Sequence, residues 1–133
     1  MKNPWKYLSK TPPHILSEDL EALIRHKKEP HHFGLQLEIL PVPFLGNFEK
    51  ASIVLLCLNP GYHKKLDRKA YEDKYCFKES VKGLTFSSST PFICLDPKLE
   101  YTGGYKWWTR LLKQLIQKFG MKTISEKLMC LQY

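Results

Sequence analysis

The densest apolar run in the chain is ASIVLLCL, residues 51–58. From Ile53 to Leu58 it has neither the alternation of a half-buried strand nor the length of a helix. A β-branched and aliphatic run of this kind predicts a parallel strand covered on both faces. Upstream, Leu35, Leu37 and Ile39 alternate with polar residues and predict a short strand, while Pro30, Pro41, Pro43 and Gly46 exclude a long helix there. PFICLD, residues 91–96, predicts a second short buried strand. GLTFSSST before it predicts turns.

Helical periodicity marks three segments. SEDLEALIRHKK, residues 17–28, has Ser17 as a candidate N-cap, acids in its first turn, bases in its last, and an apolar face of Leu20, Leu23 and Ile24. TGGYKWWTRLLKQLIQKFG, residues 102–120, puts Trp108, Leu111, Leu112, Leu115 and Phe119 at helical spacing with lysines opposite, and Gly120 stops it. ISEKLMCLQY predicts a short helix running into a third strand. The charged and aromatic stretch of residues 62–82 predicts a helix or a long surface connection, and residues 1–16 an irregular arm. Strands alternating with helices predict one α/β domain over residues 1–133, built on a short parallel sheet.

Composition narrows the chemistry. No apolar run approaches the roughly 20 residues of a membrane span, and the N-terminus lacks the apolar core of a signal peptide. A cytoplasmic protein with no membrane partner is therefore expected. Cys57, Cys76, Cys94 and Cys130 form no C-x-x-C pair, and Cys57 and Cys94 sit in apolar runs, so they are expected as buried free thiols. His31-His32 has no third ligand at metal spacing, and neither a metal nor a cofactor is expected. Lysines and arginines outnumber acids 21 to 13, giving a net charge of +8 that attracts polyanions.

The strand of residues 51–58 ends on Asn59-Pro60-Gly61, followed by Tyr62. Ligands of open α/β sheets bind outside the carboxyl ends of the strands. Pro60 stiffens the exit, Gly61 permits a sharp turn or close approach, and the Asn59 amide can donate and accept hydrogen bonds. As a bare tripeptide this is also an ordinary turn signal.

In its wider context, PFLGNFEKASIVLLCLNPGY resembles the first motif of the uracil-DNA glycosylase superfamily. It is most similar to the mismatch-specific and single-strand-selective branches, where Asn-Pro-Gly stands in place of Asp-Pro-Tyr. YTGGYKWWTRLLKQLI resembles an aromatic helix start of the mismatch-specific branch, and PFICLDP occupies the place of the family's second buried strand. The resemblance covers about residues 41–131.

It implies a three-layer α/β/α fold and hydrolysis of the N-glycosidic bond of uracil or a related damaged base in DNA. Asn59 would position the hydrolytic water, and an amide does this without being a strong base. Gly61 would admit a larger substituent on the pyrimidine, with Pro60 and Tyr62 beside it. Phe86 or Phe92 would stack on the flipped base. The family's second motif, a His-Pro-Ser or Asn-Pro-Ser loop beyond the third strand, has no counterpart here, so the domain is expected to be incomplete at its C-terminus.

Two alternatives fit the same residues. The first is a non-catalytic nucleic-acid-binding module in which Lys64, Lys65, Arg68 and Lys69 grip phosphates while Tyr62 or Tyr71 stacks on bases. The second is a small-molecule enzyme receiving an anion at Thr102-Gly103-Gly104, although helix capping explains those residues more simply.

Overall fold

A computed structural model describes residues 3–26, 36–58 and 64–132 of the chain. It divides into two compact units, Met1–Pro41 and Val42–Tyr133, where the sequence predicts one domain with an arm.

In the first unit the expected irregular arm is organised. A 3-10 turn spans Pro4–Tyr7, with the Asn3 side chain accepting the Trp5 N–H at 3.1 Å. Leu8, His14 and Leu16 are buried. His14 donates its backbone N–H to the Leu37 carbonyl at 2.9 Å, and its ring Nδ1 bonds the Ser9 carbonyl at 2.8 Å. Leu37–Ile39 is consequently a turn, closed by Ile39 N–H to Gln36 O, and not the strand its alternation predicts. Helix α1, Leu20–His26, follows a 3-10 turn at Ser17–Asp19. Ser17 is the first residue of that turn, not a cap, because its Oγ bonds Glu18 Oε2 at 3.1 Å. Leu20 and Ile24 are exposed.

The second unit is a mixed α/β structure around a three-stranded sheet. Its strands are β1 (Phe44–Leu45), β2 (Ile53–Cys57) and β3 (Leu128–Gln132), in the order β1-β3-β2. Between β2 and β3 run α2 (Lys64–Glu72), α3 (Lys74–Leu84), α4 (Gly103–Leu111), α5 (Lys113–Phe119) and α6 (Met121–Lys127). β2 pairs parallel with β3, as the apolar pattern predicts, while β1 pairs antiparallel, which makes the sheet mixed. β2 is nevertheless an edge strand. Leu55 and Cys57 face the core, whereas Val54 and Leu56 on the other face are 50% and 72% exposed. The expectation of cover on both faces is not met.

The core gathers around Phe92, Leu95 and Cys130, all essentially inaccessible. Trp108 meets Phe92 edge-on at 4.8 Å. Ile93–Leu95 is a 3-10 turn where a strand was expected. The Phe92 N–H is taken by the buried Ser125 Oγ at 3.1 Å, and Asp96 caps the next turn at Pro97–Leu99 by accepting the Lys98 N–H, so no strand ladder forms. Residues 62–82 do yield helices from residue 64 on, divided where Asp73 accepts the Cys76 N–H at 2.8 Å and starts α3. Buried Glu79 on α3 holds Lys82 Nζ at 2.6 Å and the Ser88 hydroxyl at 3.0 Å, which ties the following loop to the helix.

Gly46 joins β1 to the turn before β2 at φ +99°, with room for no side chain: a Cβ there would run into the Leu128 carbonyl oxygen. Gly83, near the end of α3, has nothing within 4 Å of its Cβ position. The two glycines therefore respond oppositely to alanine. Gly46→Ala is expected to cost about 2 kcal/mol or more through strain and displaced backbone. Gly83→Ala is expected to gain up to about 1 kcal/mol of helix propensity. Urea unfolding of the two variants beside the parent measures both; a neutral Gly46→Ala would contradict the close approach to β3.

Candidate functional site at the carboxyl ends of the parallel strands

β2 and β3 run side by side from Ile53 opposite Leu128 to Cys57 opposite Gln132, so both leave the sheet at one edge. Asn59 follows two residues after Cys57 in the sequence. Asn59, Pro60, Gly61 and Tyr62 lie outside the described residues, as do His31, His32 and His63.

On the neighbouring strand, Gln132 contributes a group the sequence reading missed. Its backbone N–H donates to the Pro43 carbonyl at 3.0 Å, which fixes the main chain. Its side-chain oxygen Oε1 is buried and has no hydrogen-bond partner among the described residues. A buried acceptor left in that state costs about 1–3 kcal/mol. Any donor reaching this edge, from the chain or from a ligand, is correspondingly favoured. The signal in the sequence is the lone polar residue that closes LMCL, just as Asn59 closes ASIVLLCL.

The two aromatic candidates separate. Phe92 is 0% exposed, packed against Trp108, and has no free face for a base. Phe86 is half-buried and stands in the left-handed region at φ 58°, unusual for a residue with a side chain. Its N–H donates to Gly83 O at 3.0 Å, its carbonyl accepts from Asn47 Nδ2 at 3.4 Å, and its ring lies 5.2 Å from Phe44. With Gly46, Asn47, Gly83, Ser88 and Pro91 it lines a shallow surface dimple. That depression lies beside β1, on the opposite edge of the sheet from β2, with Gly46 against the start of β3. Phe86 packs on β1, which β3 separates from β2.

The basic candidates belong to α2. Lys64 and Lys65 are the first two residues of that helix. Arg68 and Lys69 are exposed, and Arg68 Nε lies 4.0 Å from Glu72 Oε1 in a solvent-screened pair that contributes little.

A second polar centre joins α3 to the Leu95-Asp96-Pro97 turn. Asp96 is buried and accepts the Tyr75 hydroxyl on Oδ2 at 2.6 Å and the Lys98 N–H on Oδ1 at 3.0 Å. Lys98 Nζ lies 5.1 Å from the centre of the Tyr75 ring. The hydrogen bond to Asp96, then burial, then the charges of Asp96 and Glu79 push the Tyr75 phenol up to about 12. Tyr101 is raised too, chiefly by burial and then by Asp73 and Cys76. Tyr75 is thus a proton-holding donor at neutral pH and no base; its role is to tie the turn to the helix.

Cys76, Cys94 and Cys130 are raised by burial first, Cys94 and Cys130 to about 12, and each influences or is influenced by another cysteine of the core. Among the described residues no group of three His, Cys, Asp or Glu side chains is arranged to hold a metal ion. Thr102 caps α4 by accepting the Tyr105 N–H at 3.2 Å, and a Cβ on Gly104 would meet Cys94 Sγ at 3.2 Å, so Thr102-Gly103-Gly104 serves capping and packing. Comparison of the chain with protein-family models, curated proteins and solved structures finds no match.

Because the folded phenol of Tyr75 is raised above its unfolded value near 10, its contribution to stability is present below that pH and is lost as pH rises through about 12. Spectrophotometric titration is expected to show one tyrosine ionising near pH 12, a component absent in Tyr75→Phe. In Asp96→Asn that midpoint moves down towards 10. Coincident tyrosine titrations in parent and variants would contradict the Tyr75–Asp96 bond.

Proposed function

We propose that the chain is a DNA-directed protein of the uracil-DNA glycosylase type, with the residues after β2 as its working centre. The observation that carries this reading is the shared edge of β2 and β3, where the Asn-Pro-Gly sequence follows one strand end and Gln132 closes the other. Open α/β sheets bind ligands at such an edge. In this reading Asn59 orients a water towards the sugar carbon, and the bond to the base breaks through an oxocarbenium-like state. Water placement and stabilisation of the departing base then supply the catalysis, since an amide abstracts no proton. Lys64 and Lys65 hold the phosphates that flank the target nucleotide. Pro60, Gly61 and Tyr62 shape the pocket.

One observation favours a second reading, a non-catalytic nucleic-acid-binding module on the same frame. Phe92 is spent in the core against Trp108 and Phe86 packs on Phe44 of β1, so neither ring is held free as a stacking wall.

Incubation of the protein with uracil-containing single- and double-stranded oligonucleotides separates the two. Glycosylase function is expected to release uracil and leave alkali-labile sites, lost in Asn59→Ala with DNA affinity retained. Binding without release, weakening steeply with salt, supports the module; Lys64→Ala/Lys65→Ala then lowers the slope of log affinity against log salt by roughly 2 on duplex DNA. Neither release nor salt-dependent binding overturns both.

A further inference from the structure

The helical segment of residues 103–119 carries more apolar surface than the core uses. α4 and α5 follow each other across a break at Leu112 (ψ 11°), which donates its N–H to Trp108 O and accepts the Ile116 N–H, both at 2.9 Å. Trp108 and Leu112 are buried and Ile116 packs against the core. Beside them runs an outward series at four-residue spacing: Trp107 is 45%, Leu111 56%, Leu115 42% and Phe119 49% exposed. Side chains four apart on a helix are neighbours, so Trp107 and Leu111 form one exposed apolar pair on α4, and Leu115 and Phe119 a second on α5; the two pairs are together termed the ridge.

The charged residues of this segment have a single sign. Lys106, Arg110, Lys113 and Lys118 are exposed on the same two helices, Lys122 follows on α6, and residues 101–125 contain no Asp or Glu. Lys118 Nζ lies 5.2 Å from the centre of the Phe119 ring, so cation and apolar surface adjoin.

We propose that this ridge is a membrane-surface docking site that lies along an anionic bilayer. Its aliphatic members, Leu111 and Leu115, gain nothing from a phosphate backbone but gain burial at the acyl boundary, while the cations meet anionic headgroups. A second copy of the chain is disfavoured, because an isologous contact would set these cations against their own equivalents. The aromatic residues at the two ends of the ridge suit the interfacial depth at which Trp and Phe settle. No helix among the described residues is long and apolar enough to cross a membrane, so the segment rests on the bilayer and does not span it. The sequence-based expectation of no membrane partner concerned spanning segments, and the outward turn of this ridge was invisible to it.

Flotation with phosphatidylcholine vesicles, with and without phosphatidylglycerol, tests the proposal. Binding is expected on the anionic vesicles, at least about tenfold weaker on the neutral ones, with a blue shift of tryptophan fluorescence that Trp107→Phe diminishes. Leu111→Gln/Leu115→Gln alters only exposed positions and is expected to lower vesicle binding about tenfold while leaving circular dichroism and the melting temperature unchanged. Equal binding to both vesicles, no binding, or unchanged binding by the double variant would overturn the proposal. So would a dimer lost in that variant, which would assign the ridge to self-association. Binding that duplex DNA abolishes and that depends on Lys113 but not on Leu111 would also overturn it, in favour of a nucleic-acid face.

Discussion

The second unit depends on one strand. β3 is the strand that has a neighbour on each side, with Cys130 opposite Leu45 in the antiparallel direction and opposite Leu55 in the parallel one. Its inward side chains, Leu128 and Cys130, join the same core as Phe92 and Trp108. β1 and β2 are close in sequence but do not pair with each other; β3, far downstream, bridges them. Forming the sheet therefore means closing the whole helical excursion between Cys57 and Leu128, a non-local step whose entropic cost precedes its reward.

That arrangement also explains why the glycine at position 46 is so constrained. The chain must leave β1 and pass the backbone of β3 at the point where β3 begins, and only a residue without a side chain fits between the Leu128 carbonyl and Met129. Buried polar groups then fix what the sheet leaves loose. Glu79 holds the loop after α3, Ser125 takes the Phe92 N–H, and Asp96 anchors both a tyrosine and a turn. Each bonded group avoids the desolvation penalty an unpaired one would carry, and Gln132 Oε1 is the contrasting case.

Legibility in the sequence followed the range of the deciding interaction. β2, β3 and the helical character of residues 103–127 were readable because apolar period, Thr102 and Gly120 act within a few residues, but the single helix expected over 102–120 is two, broken at Leu112. The 3-10 turn at Ile93–Leu95 was not, since three apolar residues fit a strand equally well until Ser125 and Asp96 claim the neighbouring backbone. The turn at Leu37–Ile39 was likewise decided elsewhere, by His14. Of the candidate site, the edge where β2 ends was legible. The burial of Phe92, the packing of Phe86 on Phe44 and the oxygen of Gln132 without a partner among the described residues depend on residues distant in sequence, and periodicity carries no information about them. Helical spacing likewise marked Trp108, Leu111, Leu112, Leu115 and Phe119 as apolar without telling which turned inward.

The cysteines give the core a further property. Cys76, Cys94 and Cys130 come from a helix, a turn and a strand, so no single local opening uncovers all three. Their thiols are held well above the range in which a thiolate exists near neutral pH, and the thiolate is the reactive species. Electrophiles and oxidants thus find these three thiols protonated while the fold is closed and accessible as nucleophiles when it opens. Irreversible alkylation is coupled to the rare excursions of the whole unit, and the rate at which these thiols are consumed becomes a clock for its unfolding.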